Sequence, residues 1–400
     1  MAASVDPYLV DWLDLVFRWF HVAAGIVWIG TSFYFVALDN HLRPPAETRD
    51  AERGIGGESW EIHGGGFYRV EKFRVAPETL PDPLHWYKWE AYWTWISGFV
   101  LLTVLYYLRP YTYLIDPSVA DLTAAEAIVI SIAMLVAGWL VYDLLCRTVA
   151  RRSEIALAVC MLVLVAVSAW AATELFSARA AYLQVGAMLG TIMVANVFFV
   201  IIPAHWELVR AKEAGREPDP AANARGKQRS VHNNYLTLPV LFAMLSNHFS
   251  FTYGHAHSWL ILVCLMVIGA WVRHYFNLRH AGRTVWWIPV TAAAALAGIA
   301  IWLRPSSSTA STAEVSFATV QPIVAERCAV CHSAHPTEAG FTAPPKGIAF
   351  DTPAQIHANA QAMLEQAVEQ QTMPLGNLTH MTPVERATLG AWIRQGAKIP

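Results

Sequence analysis

The sequence predicts an all-α protein: an eight-span transmembrane helical bundle with a small helical domain at its C-terminal end. Three observations predict it. The 400 residues are 55% hydrophobic and only 14% charged, where a soluble domain carries about 25% charge, and the mean hydropathy is +0.36. Eight apolar stretches approach the ~20 residues that cross a bilayer as a helix. After the last of them the composition turns polar, and the signature Cys328-x-x-Cys331-His332 stands in that polar part.

The apolar stretches cover residues 11–37, 89–108, 124–144, 154–175, 181–203, 235–252, 258–277 and 285–303. The sixth is the weakest, being short and holding Asn247 and His248. No Lys or Arg precedes the first run and no small-residue cleavage site follows it, so it reads as a span rather than a signal peptide. Residues 1–303 thus form a membrane domain, 304–316 a Ser/Thr-rich linker, and 317–400 a polar domain. Counted with the adjoining span ends, one set of alternate loops carries nineteen Lys and Arg. The other set has Arg109, Arg179 and Arg304. The positive-inside rule makes the first set cytoplasmic and places both the N-terminus and the C-terminal domain on the outer side. The net charge of −2 offers no basic excess for nucleic acid; lipid is the expected surrounding partner.

C-x-x-C-H is the attachment signature of a c-type haem. The two thiols form thioethers, and His332 is placed as the proximal iron ligand. The competing readings are a redox dithiol and half a zinc site. No second Cys pair exists, which disfavours zinc; Cys146, Cys160 and Cys264 stand singly in apolar segments and read as small hydrophobes. For the sixth ligand, Met373 before Pro374 is the first choice, with Met381 and His380 behind it. Thr382-Pro383-x-Glu385 opens a closing helix as N-cap, first-turn proline and acid. The expectation is a class I-like cytochrome c domain carrying one covalent haem c, facing the side where such haems are attached.

Ionisable residues inside a span are functional candidates. His21 in the first span and His248 near the outer end of the sixth fall in the same half of the bilayer, which makes them candidate ligands of a second, b-type haem. The plainer reading is a histidine bonded to a neighbouring helix. On the cytoplasmic side, loop 38–88 is long for a connector and holds His63, Gly64, Gly65, Gly66, Tyr68, Arg69, Glu71 and Lys72. Three glycines let backbone N–H groups approach a ligand closely, or simply form a hairpin tip. A second cluster, Lys227 to Tyr235, contains His232, Asn233 and Asn234; flanking positive charge explains Lys227 and Arg229 but not His-Asn-Asn-Tyr. Asn196, buried mid-span, needs a partner. These amides, cations and histidines suit a planar, polar, weakly acidic ring.

The stretches "HGGGFYRVEKFRVAP", "KWEAYWTWISGFVLLTVLYYL", "GWLVYDLLC", "GTIMVANVFFVIIP" and "KQRSVHNNYLTLPVLFAMLSNH" resemble the membrane-bound bacterial urate oxidase (urate hydroxylase) family, over about residues 8–395. Such proteins have an eight-span membrane domain and often a C-terminal cytochrome c. The resemblance implies a multi-pass protein of the bacterial inner membrane, with its N-terminus and its cytochrome domain periplasmic. It implies oxidation of urate to 5-hydroxyisourate in purine breakdown. Electrons would leave through the haem to a soluble cytochrome or terminal oxidase, not to hydrogen peroxide. By match it points to Gly64, Gly65, Gly66, Tyr68, Asn233 and Asn234 on the substrate side, where Asn196 joins them. By match it also brings His63, His232, Glu71 and Lys72 to the substrate side; their chemistry suits catalysis, with His63 or His232 the general base. One departure stands out: where the family pattern has amides after Ile-Ile-Pro, this chain has Ala204 and His205. Two other functions fit the same residues: a membrane cytochrome oxidising another small reductant or quinol, and a tethered electron-carrier cytochrome c.

Overall fold

A computed structural model describes residues 7–304, 314–338 and 341–400. Most of the expected linker, residues 305–313, lies outside the described residues. Helix α1 (Pro7–His41) leads into a short α2 (Thr48–Glu52) and a two-stranded antiparallel hairpin, β1 (Ile55–His63) and β2 (Gly66–Phe73). The hairpin corrects the all-α expectation. Gly64 and Gly65 have φ of +58° and +82°, the two-residue turn with both central residues left-handed that matches strand twist. The pairing register sets Trp60 against Arg69 and His63 against Gly66.

Helix α3 (Trp89–Leu102) ends in a π turn over Thr103–Tyr107 and is followed by a short α4 (Pro110–Tyr113). Next come α5 (Ala124–Thr148), α6 (Glu154–Leu175) and α7 (Ala178–Asn196). A second π turn, Val197–Ile201, joins α7 to α8 (Ile202–Glu213). Helix α9 (Pro220–Leu245) precedes a short α10 (Ser250–Tyr253), then α11 (Ser258–His280) and α12 (Trp287–Trp302). Polar caps satisfy the first-turn N–H groups that an apolar surrounding would leave bare. Thr123 and Glu126 form a capping box at α5, Ser153 and Ser177 cap α6 and α7, and Asp219 caps α9.

The eight apolar stretches fall mostly on helix, the sixth being broken between Leu245 and Ser250. Among the described residues, five helical stretches are long and apolar enough to cross a membrane: Tyr8–His41, Ala124–Thr148, Glu154–Leu175, Ala178–Glu213 and Ser258–His280. Helix α12 is apolar but shorter. Helix α3 is interrupted by its π turn, and the first half of α9 is polar. Helix α7 is the most enclosed, packing against α5, α6 and α9 with Val185, Leu189 and Ile192 fully buried. Helix α1, by contrast, packs along α3 and leaves Trp12, Trp19 and Ile26 exposed, as a lipid-facing helix does.

The C-terminal unit has α13 (Phe317–Arg327), α14 (Pro353–Ala358), α15 (Ala360–Met363) and α16 (Pro383–Arg394). Its own core gathers Phe317, Val320, Val324, Met363, Met381, Leu389 and Trp392. The first and last helices meet through Phe317 and Trp392, whose rings lie 5.8 Å apart. The expected Thr382/Glu385 capping box opens α16.

Candidate functional site

A cavity of about 880 Å³ opens between α1, β2, α9 and α11, with the α7–α8 junction as its floor. Its polar lining includes Asp39, Glu71, Lys72, Lys227, Asn233 and Asn234. Tyr235, His274 and Asn277 extend that lining along α9 and α11, and His85 and His205 add two more imidazoles. Trp28, Phe35 and Trp86 supply flat apolar wall. An apolar cleft with a few convergent polar groups is what a small planar ligand needs.

The sequence brings these groups together by helical spacing. Lys227, Ser230, Asn234 and, one turn on, Thr237 follow the 3–4-residue rhythm of one α9 face. On α11, His274, Asn277 and Leu278 do the same. The two helices are stitched across the cavity wall: Asn234 Nδ2 donates to Asn277 Oδ1 at 3.0 Å, and Tyr235 Oη lies 2.7 Å from His274 Nδ1. Arg273 Nε donates to Asn234 Oδ1. From β2, Lys72 Nζ reaches Asp39 Oδ1 at 2.6 Å.

Of the expected site residues, Glu71, Lys72, Asn233 and Asn234 line this cavity. Asn196 sits directly behind it, fully buried; its Nδ2 donates to Asn233 Oδ1 at 2.8 Å and to Tyr142 Oη at 3.0 Å. Asn233 Nδ2 in turn donates to the Met193 carbonyl. His232 points to the other side of α9. Its Nδ1 is 2.8 Å from Tyr142 Oη, and its Nε2 is 3.3 Å from Glu154. His63, Gly64, Gly65 and Gly66 form the hairpin tip, and Tyr68 is exposed on the strand beyond it; none of these five lines the cavity. The hairpin is held instead by Arg69, which bonds Glu58 and Asp50.

The structure adds residues that sequence reasoning did not place in the site: His205, His274, Asn277 and, behind Asn234, Arg273. His205 was visible in the sequence only as a departure from a pattern. His274 and Asn277 share the 3-residue spacing of a helix face but stand in an otherwise apolar span.

Elsewhere, His21 Nδ1 lies 2.9 Å from the Thr94 carbonyl and 3.1 Å from Ser97 Oγ. A carbonyl only accepts, so Nδ1 carries the proton and Nε2 the lone pair. The ring fits against Gly98, where a Cβ would come within 2.8 Å of His21 Cε1. His248 is exposed in a single turn after α9. Among the described residues, no hydrogen bond or ring contact joins it to His21.

In the C-terminal unit, Cys328, Cys331 and His332 follow α13 and are all half-buried. His332 Nδ1 donates to the Ile348 carbonyl at 3.0 Å, which leaves the lone pair on Nε2, the arrangement that orients histidines in metal sites. Burial pushes the Cys328 thiol up to about 12 and the Cys331 thiol to about 11. A dithiol exchanger would call for the opposite, a depressed thiol. Met373 is part-buried against the unit's core, and Arg386 donates to its carbonyl at 2.6 Å and to Asn377 at 3.2 Å. Met381 is 2% exposed and packs in that core. The residues present fit a covalently held haem.

The family described as urate oxidase N-terminal matches residues 7–304. The chain belongs to this family. No curated protein and no solved structure matches it. The matched residues end where the described part of the membrane-type region ends, so the family covers the cavity and the helices around it, and not the C-terminal unit.

Proposed function

We propose that the protein is a membrane-bound urate hydroxylase, converting urate to 5-hydroxyisourate in an eight-span membrane domain and delivering the electrons to a periplasmic c-type haem. The observation that carries this reading is the cavity. A member of the urate oxidase N-terminal family gathers Asn233, Asn234, Asn277, Glu71 and Lys72 around one cleft with flat aromatic walls. Amides there can match the alternating N–H and C=O groups of a purine trione, and Trp28 and Trp86 can face its ring.

The overall step adds the elements of water to urate: a hydroxyl joins C5, and two electrons and two protons leave. Glu71, His205 and His274 line the cavity and are the groups placed to take a proton from the ring or from the attacking water. His63 and His232, the bases expected from sequence, stand at the hairpin tip and behind α9. His232 then serves to fix Tyr142, which holds Asn196 and through it Asn233. Cys328, Cys331, His332 and Met373 would hold a haem there, which would supply one-electron chemistry. A c-type haem attached to the outer end of the chain suits an acceptor other than oxygen, such as a soluble cytochrome or terminal oxidase. Among the described residues no hydrogen bond reaches Nε2 of His21, the atom with which it would hold a second haem.

The test is anaerobic. The purified, oxidised full chain is mixed with urate, and the reduced c-type α band is followed. Reduction by urate and not by xanthine is expected. A haem that dithionite reduces and urate does not would overturn the assignment.

A further inference from the structure

The cavity's charges do not balance. Its two lining carboxylates are both engaged: Asp39 with Lys72 at 2.6 Å, and Glu71 with Arg69 at 3.4 Å. Two cations are left over. Lys227 lines the cavity and is exposed, and among the described residues it forms no ion pair. Arg273 is 3% exposed and also forms none among the described residues. Its guanidinium lies 3.6 Å over the Phe33 ring, its Nε is spent on Asn234, and its Nη2 has no hydrogen-bond partner.

The other buried arginine nearby shows what a finished site looks like. Arg229, 4% exposed, has Asp143 at 2.7 Å, Asn196 at 3.3 Å and the face of Tyr142 beneath it. A buried charge is costly unless paired. Arg229 has its counter-charge inside the fold; Arg273 does not, and it sits one amide behind the cavity wall.

We propose that the cavity takes its ligand as an anion, with Arg273 as the missing counter-charge acting through Asn234 and Lys227 as the cation at the mouth. The inference rests on reading this cavity as the substrate site. Urate near neutral pH is a monoanion, whereas hypoxanthine is a neutral purine of similar shape. Arg273 is a positioning residue here: it polarises and aligns the Asn234 amide, and its field favours negative charge in the cleft.

Equilibrium binding to the full chain, without oxygen and at neutral pH, tests this with three probes: urate, hypoxanthine and orotate, an anion that is not a purine. The wild type should prefer urate to hypoxanthine. Arg273→Gln should weaken anion binding roughly tenfold or more, as expected for a charge acting in a low-dielectric site, and leave hypoxanthine unchanged. Arg273→Lys should restore part of the loss. Equal weakening of all three probes in Arg273→Gln would mark a structural role and overturn the proposal. So would a wild type that binds hypoxanthine as tightly as urate. If Arg273→Gln does not fold, Lys227→Gln at the exposed mouth decides; undiminished anion binding there overturns the proposal. A wild type that binds orotate but not urate would sink the urate assignment and leave the anion inference standing.

Discussion

In the C-terminal unit, Cys328, Cys331 and His332 lie within five residues of chain, and one carbonyl, that of Ile348, orients the histidine. The cavity draws Asp39, Glu71, Asn233, His205 and His274 from five separate elements, and long-range contacts hold several of them, as Lys72 holds Asp39, Asn196 holds Asn233 and Tyr235 meets His274. The first kind of site is written locally and should fail all at once. The second is assembled by packing and should fail by degrees, with stability and binding separable at different residues.

The largest effect should come from the local site. Replacing both Cys328 and Cys331 by Ser should abolish covalent haem, seen as loss of haem staining on a denaturing gel, and with it any urate-driven c-type band. Haem that stays attached would break the comparison at its simpler end. Next should come the buried pair behind the cavity. Asp143→Asn leaves Arg229 buried without its carboxylate, a change that costs about 3–5 kcal/mol. Thermal unfolding in detergent should report it as a clear drop in melting temperature. An unchanged melting temperature would mean that Arg229 finds charge elsewhere.

A smaller and more selective effect is expected at Asn234→Ala. It removes the acceptor of Arg273 and the donor to Asn277, worth about 1–3 kcal/mol, and kcat/KM for urate should fall about tenfold or more. The smallest effects should lie in the hairpin. Arg69 bonds Asp50 and holds its carboxyl below the usual range. A depressed folded-state value gives stability that is present above the ordinary carboxylate range and is lost as pH falls through the depressed one. Protease cleavage at the hairpin should therefore rise only in strong acid, and Asp50→Asn should flatten that dependence. Gly65→Ala, at φ +82°, should cost about 1 kcal/mol and loosen the tip while leaving urate turnover nearly intact. A large loss of turnover would draw the tip back into the site.

The helices were legible because apolar runs of span length admit few other structures. The hairpin was half legible: the glycine run reads as a hairpin tip or as a ligand loop, and the structure makes Gly64-Gly65 the turn of a hairpin. In the C-terminal unit, spacing alone located Cys328, Cys331 and His332. The cavity was half legible. Asn233 and Asn234 stood out as amides just before a span, Glu71 and Lys72 as charges beside the glycine run of the long loop, and Asn196 as a lone amide mid-span. His232 stood out equally and faces the other way, because its neighbours on α9 do not reveal which side of the helix α7 occupies. Arg273 was counted as a loop charge at a span end. It forms no ion pair among the described residues, and its neighbours Phe33 and Asn234 are distant in sequence.

The π turn between Asn196 and Ile202 amounts to one residue more than a regular helix would hold there. It lets a single rod present Asn196 to the network behind the cavity, and Val197, Ile201 and His205 to the cavity itself. The extra residue is taken up inside the widened turn, so α8 stays in phase with α7 and His205 keeps its place in the cleft. Deleting it would change only which side chains the turn itself, Val197 to Ile201, offers to the cavity floor.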